Sequence, residues 1–100
     1  MTVKELNEKD FYNYRKAPTA LIYFYADWCP SCRVLNLIVN EIANVRADIP
    51  MGKINVGTEA HLASQFNIKS VPTLILFKEG TESVRSVGVT TKKAIIDMLN

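Results

Sequence analysis

Ala20-Leu21-Ile22-Tyr23-Phe24-Tyr25-Ala26-Asp27-Trp28-Cys29-Pro30-Ser31-Cys32-Arg33 reads as a strand running into a helix, with two thiols at the joint. Its first half, Ala20 to Ala26, is an unbroken apolar, β-prone run, the pattern of a strand buried on both faces of a sheet. From Ser31 onward Val34, Leu35, Leu37, Ile38, Ile42 and Val45 recur at spacings of three to four, while Arg33, Asn36, Asn40, Glu41 and Asn44 supply the other face. That pattern predicts an amphipathic helix. Pro30 suits its first position, because its fixed φ matches the helix and its missing N–H is not needed there.

Cys29 then stands at the N-cap, where unpaired backbone N–H groups and the positive end of the helix dipole favour a thiolate over a thiol. The Ser31 hydroxyl is a further donor within reach. A thiol at the free value of about 8.5 is a few per cent ionised at neutral pH, and one near 7 is about half ionised. The difference corresponds to roughly 2 kcal/mol of preferential thiolate stabilisation. Cys32, one turn further in, is expected to be shielded until Cys29 forms a mixed disulfide that it can attack. A structural staple explains the pair poorly, since so short a loop removes little freedom from the unfolded chain. A closed zinc site takes four ligands, and beyond the two cysteines the chain offers one histidine, His61, so no metal is expected.

Outward from this joint, Leu6, Phe11 and Tyr14 suggest a short helix between Asn7 and Arg15, after an edge strand at Thr2 to Glu5. Pro18 marks the turn into the central strand. Met51 to Val56 reads as a strand, and Thr58 is placed to cap a helix from Glu59 to Phe66. Strand, helix, strand implies a parallel crossover. Thr73 to Phe77 is a further apolar strand, turned at Glu79-Gly80 and returning over Ser83 to Val87; Thr91 caps a last helix through Leu99. The expected product is α/β: a mixed central sheet of about five strands flanked by about four helices, in one domain spanning residues 1–100.

Twelve Lys and Arg against ten Asp and Glu, scattered without a basic run, argue against nucleic acid as a partner. The N-terminal residues lack the apolar core of a signal peptide, and the longest apolar stretch is far short of a membrane span. A cytoplasmic protein without a membrane partner is expected.

Ala26-Asp27-Trp28-Cys29-Pro30-Ser31-Cys32-Arg33, then Val71-Pro72-Thr73, Phe77-Lys78-Glu79-Gly80 and Val87-Gly88, occur in the order and at the approximate spacings of the thioredoxin family, which the chain resembles over nearly its whole length. The resemblance implies a thioredoxin fold and dithiol–disulfide exchange on protein disulfides. It implies no bound cofactor beyond a reversible Cys29–Cys32 disulfide, with thioredoxin reductase or another thiol as electron donor. It makes Trp28 the active-site tryptophan, Pro72 a cis-proline facing the cysteines, Gly88 part of the substrate rim and Lys53 the partly buried lysine. Val71 and Pro30 join the substrate surface. A cis bond before Pro72 would bare backbone polar groups beside Cys29 for strand-like pairing with substrate.

Three departures stand out. Pro30-Ser31 replaces the familiar Gly-Pro, Leu37 occupies the position of a helix-kinking proline, and Tyr23 stands where the family places a buried acid. That acid is usually assigned a proton-transfer role, so Lys53 loses a partner and Cys32 a base. Two alternatives fit the same residues: a binding or assembly module on the same scaffold with incidental redox activity, and a more oxidising, isomerase- or oxidase-like protein.

Overall fold

The computed structural model of the chain describes residues 3–100. Its elements in chain order are β1 (Lys4–Glu5), α1 (Glu8–Tyr14), β2 (Thr19–Tyr25), α2 (Pro30–Val45), β3 (Met51–Asn55), α3 (Ala60–Gln65), β4 (Thr73–Lys78), β5 (Thr81–Val87) and α4 (Lys92–Leu99). The five strands form one sheet in the order β1-β3-β2-β4-β5. β3 runs parallel to both β1 and β2, whereas β4 is antiparallel to β2 and to β5. This is the mixed sheet that the order of elements predicts. The first expected strand begins at Thr2, which lies outside the described residues; Lys4–Glu5 is the part that pairs.

β2 takes the centre because its sequence tolerates no water on either face. Its backbone is paired on both edges, and alternate side chains enter two separate cores. Leu21 and Tyr23 pack with Leu74, Leu76 and the inward residues of α2 and α4. Ile22 and Phe24 pack with Ile54, Ile75 and Phe77 beneath Phe11 of α1 and Leu62 of α3. Tyr23 therefore lies under the cysteine-bearing helix, in register with Lys53 on β3 and Leu74 on β4.

Two local readings change. On α2 the buried stripe is Cys32, Leu35, Val39, Ile42 and Ala43, while Val34, Leu37 and Val45 are exposed. Apolar spacing locates the helix, but the sheet beneath decides which side faces in, and the face that includes Cys32 wins. Thr58 is not the cap of α3, which starts at Ala60 without a side-chain cap bond. Asn55 organises that turn instead. Its Oδ1 accepts from the Gly57 N–H at 2.8 Å, and its backbone oxygen accepts from the Thr58 hydroxyl at 3.3 Å, which takes Thr58 out of the cap. The β4–β5 hairpin closes through Glu79 and Gly80 at φ of 53° and 80°, both left-handed, as a two-residue turn between twisted strands requires.

Candidate active site

Cys29 ends the short connection from β2 and is the N-cap of α2, extended at φ −102° and ψ 102°, with Pro30 as the first helical residue. That extended cap brings the two cysteine Cα atoms to 5.3 Å, within the range a disulfide accepts, and Cys29 and Cys32 are bonded to each other. Cys29 is 4% exposed and Cys32 2%, so exposure does not distinguish them in this state. Hydrogen bonding does. The Cys32 backbone N–H donates to Cys29 Sγ at 3.2 Å, the Ser31 hydroxyl lies 3.4 Å from the same sulfur, and the first turn of α2 holds no carboxylate. The Val71 carbonyl oxygen, 3.8 Å away, accepts when Cys29 carries a proton. Two donors and a helix end on one sulfur favour its anion over its thiol.

The loop before β4 lies across the disulfide. The Val71–Pro72 bond is cis, the Gly88 N–H donates to the Pro72 carbonyl at 2.8 Å, and the Thr73 hydroxyl donates to the Ser70 carbonyl at 2.8 Å. Val71, Pro72 and Gly88 thus join the cysteines from β4 and the end of β5. Gly88 has φ of 89°, and a Cβ there would meet open space, so backbone conformation explains the glycine where crowding does not. Trp28 is 76% exposed and Pro30 is exposed beside it, an apolar surface flanking the disulfide.

Tyr23 and Lys53 approach from the other side. The Tyr23 hydroxyl donates to the Cys32 carbonyl at 2.5 Å, and the Lys53 ammonium sits 5.4 Å from the centre of the Tyr25 ring. Tyr23, Lys53 and Cys32 line a cavity of about 380 Å³ together with Asp27, Arg33 and Asn36. Asp27 accepts a hydrogen bond from Asn55 Nδ2 at 3.2 Å. By residue spacing Asn36 falls on the face of α2 opposite the apolar stripe. It is part-buried in this cavity, and its spacing of four from Cys32 is the signal that puts it there. Asp27 and Tyr25 are cavity residues that carried no assignment of their own.

Burial pushes the Tyr23 phenol up to about 12 from an ordinary value of 10.0. It is therefore neutral at any physiological pH, a donor and never a base. For a folded-state value above the unfolded one, the stability contribution is complete below pH 10 and is lost as the pH rises towards 12. The full loss is about 3 kcal/mol, and Tyr23→Phe should lack that component of the alkaline decline. Urea unfolding of both proteins between pH 8 and 12 checks this; parallel declines would contradict it.

Among the described residues no group of three His, Cys, Asp or Glu side chains is placed to hold a metal ion, and no helix is long and apolar enough to cross a membrane. His61 lies on the surface of α3, its Nδ1 2.9 Å from Glu8 Oε1.

Comparison with known proteins agrees with this geometry. The family profile described as Thioredoxin matches residues 2–100. A thioredoxin of Chlamydia pneumoniae is 34% identical over 98 residues, covering 98% of this chain and 96% of that protein. A thioredoxin of Mycobacterium bovis is 40% identical over 81 residues, covering 80% of this chain and 70% of that protein. Among solved structures, a mutant thioredoxin from Halobacterium salinarum superposes with a TM-score of 0.91 at 29% identity, covering 97% of this chain and 87% of that one.

Proposed function

The chain belongs to the thioredoxin family and is a thiol–disulfide oxidoreductase, and from that premise we propose that it reduces protein disulfides with Cys29 as attacking thiolate and Cys32 as resolving thiol. The observation that carries the assignment is the unequal treatment of the two sulfurs: Cys29 Sγ sits at the N-cap with the Cys32 N–H at 3.2 Å and the Ser31 hydroxyl at 3.4 Å. The reaction needs no bound cofactor, because the electron pair is carried by the cysteine pair itself. The Cys29 thiolate attacks one sulfur of the substrate disulfide and releases the other as a thiolate. Cys32 then attacks Cys29 Sγ, which restores the Cys29–Cys32 bond and frees the second substrate thiol.

Trp28, Pro30, Val71, Pro72 and Gly88 are assigned to substrate contact. The Val71 carbonyl lies beside the reacting sulfur, where the backbone N–H of an extended substrate can reach it, so recognition rests on main chain and tolerates varied sequences. Ser31 tunes Cys29, and Tyr23 and Lys53 modulate Cys32 from the cavity. Family membership brings protein disulfides as substrates and reductases as partners in general. The finer assignment is a cytoplasmic protein, residues 1–100 acting as one thioredoxin-like unit, re-reduced by a thioredoxin reductase or a low-molecular-weight thiol.

Turnover of a protein disulfide, with thioredoxin reductase or glutathione as donor, tests the proposal. Multiple turnovers support it; stoichiometric binding without electron transfer would return the assembly module, which the family relationship does not favour.

The potential of the pair should be about −220 mV, less reducing than the thioredoxin reference of about −270 mV, since the Ser31 donor stabilises the reduced thiolate. For two electrons this offset of about 50 mV is roughly 2 kcal/mol, a size one charge-assisted hydrogen bond supplies. Equilibration with glutathione measures it. A value at or below the reference contradicts the role given to Ser31.

A further inference from the structure

Asn36 follows Cys32 by four residues on α2, so the two side chains leave the helix on the same face, and both line the cavity of about 380 Å³. Asn36 Oδ1 is buried and accepts no hydrogen bond from any described residue. Tyr23, Asp27 and Lys53, which line the same cavity, have contacts of their own. The Tyr23 hydroxyl donates to the Cys32 carbonyl, Asn55 Nδ2 donates to Asp27, and the Lys53 ammonium lies over the Tyr25 ring. A buried amide oxygen without a partner is costly, and a polar cavity of this size has room for several waters at about 30 Å³ each. Solvent in the cavity is the partner chemistry supplies.

From this arrangement we infer that Asn36 is a positioning residue for resolution, its Oδ1 holding a cavity water against the Cys32 thiol so that the thiol proton leaves through that water to Asp27. The inference rests on the reading of Cys32 as the resolving thiol. In the mixed disulfide the Cys32 S–H bond breaks and its proton passes to the water. The water, donating one hydrogen to Asn36 Oδ1, gives its other to the Asp27 carboxylate at the same cavity. The Cys32 sulfur bonds to Cys29 Sγ as the bond from Cys29 to the substrate sulfur breaks. The electron pair leaves with that sulfur, which takes a proton from solvent. The protein dithiol is oxidised and the substrate disulfide reduced. The charged and titratable groups around the path are Asp27 after β2, Arg33 of α2, Lys53 of β3, the phenols of Tyr23 and Tyr25, and Glu5 of β1, which accepts from the Tyr25 hydroxyl.

Rapid mixing of the reduced protein with 5,5′-dithiobis(2-nitrobenzoate) separates the steps: a first thionitrobenzoate release reports attack by Cys29, and a second reports resolution by Cys32. In Asn36→Leu the first release should be unchanged. The second should slow about tenfold, the effect of losing one hydrogen bond, and its pH midpoint should move upward. Asn36→Ala should do the same if the leucine variant fails to fold. Asn36→Asp, which keeps an acceptor oxygen, should retain the second rate, and Asp27→Asn should lose it. An unchanged second release and pH midpoint in folded Asn36→Leu or Asn36→Ala would overturn the inference. Failure of the underlying assignment looks different, because the first release would then be lost on removal of Cys32 and kept on removal of Cys29.

Discussion

Cys32→Ser is expected to stop the reaction halfway, leaving substrate joined to Cys29 through a stable mixed disulfide, whereas Cys29→Ser is expected to reduce exchange to the uncatalysed background. The asymmetry follows from position. Cys29 holds the helix cap and receives the hydrogen bond from the Cys32 N–H, which remains when the residue at 32 is serine because the donor is backbone. Attack therefore survives the substitution, and release of substrate does not. With Cys29 removed, the remaining thiol is the third residue of α2, off the cap position at which the backbone N–H reaches Cys29 Sγ. Non-reducing electrophoresis and peptide mass mapping of each variant after mixing with a protein disulfide check the result. A covalent complex through Cys32 would invert the assignment.

Tyr23→Asp should change both stability and rate. Tyr23 is 1% exposed and packs between the sheet and α2, so the replacement removes an aromatic ring from a filled core and leaves a carboxyl there. The expected loss is about 3 to 5 kcal/mol, read as a lower urea midpoint. Because burial raises the folded-state pKa of such a carboxyl, the loss should grow as pH rises through and above the unfolded value near 4, where the unfolded chain gives up its proton first. At neutral pH the carboxyl beside Cys32 supplies an acceptor that a phenol at about 12 cannot, and resolution should quicken by about tenfold or more. In the unmutated protein, where the Cys32 proton has only the water path to Asp27, the same step should be slower at neutral pH than in Tyr23→Asp and accelerate as pH rises through the pKa of Cys32. Fast, pH-independent resolution with no gain in Tyr23→Asp would make the missing acid irrelevant.

Much of this site was legible in the chain because it is built from neighbours in sequence. Ala20 to Ala26, Pro30 and the cysteine spacing place strand, cap and sulfur within a dozen residues, and the local rules for each agree. Tyr23 was readable as buried because an unbroken apolar run leaves it no solvent face. Asn36 was not, since a polar residue on an amphipathic helix defaults to solvent until the sheet fixes the helix rotation. Val34 and Leu37 failed in the opposite sense for the same reason. Thr58 lost its capping role to Asn55, whose side chain and carbonyl both enter the turn, a competition between neighbouring polar residues that spacing does not resolve. Lys53 meets Tyr23 through strand register, which composition does not encode.

Attack, trapping and resolution all depend on the N-cap of α2 making Cys29 the thiolate. Ultraviolet thiolate absorbance of the reduced protein, titrated beside its Cys32→Ser variant so that the transition is assigned to one sulfur, measures it directly. Cys29 should titrate clearly below the free-thiol value, held down by the helix end and its N–H donor, and should be alkylated selectively at neutral pH. A Cys29 pKa at the free-thiol value of about 8.5, or labelling that falls first on Cys32, would contradict it.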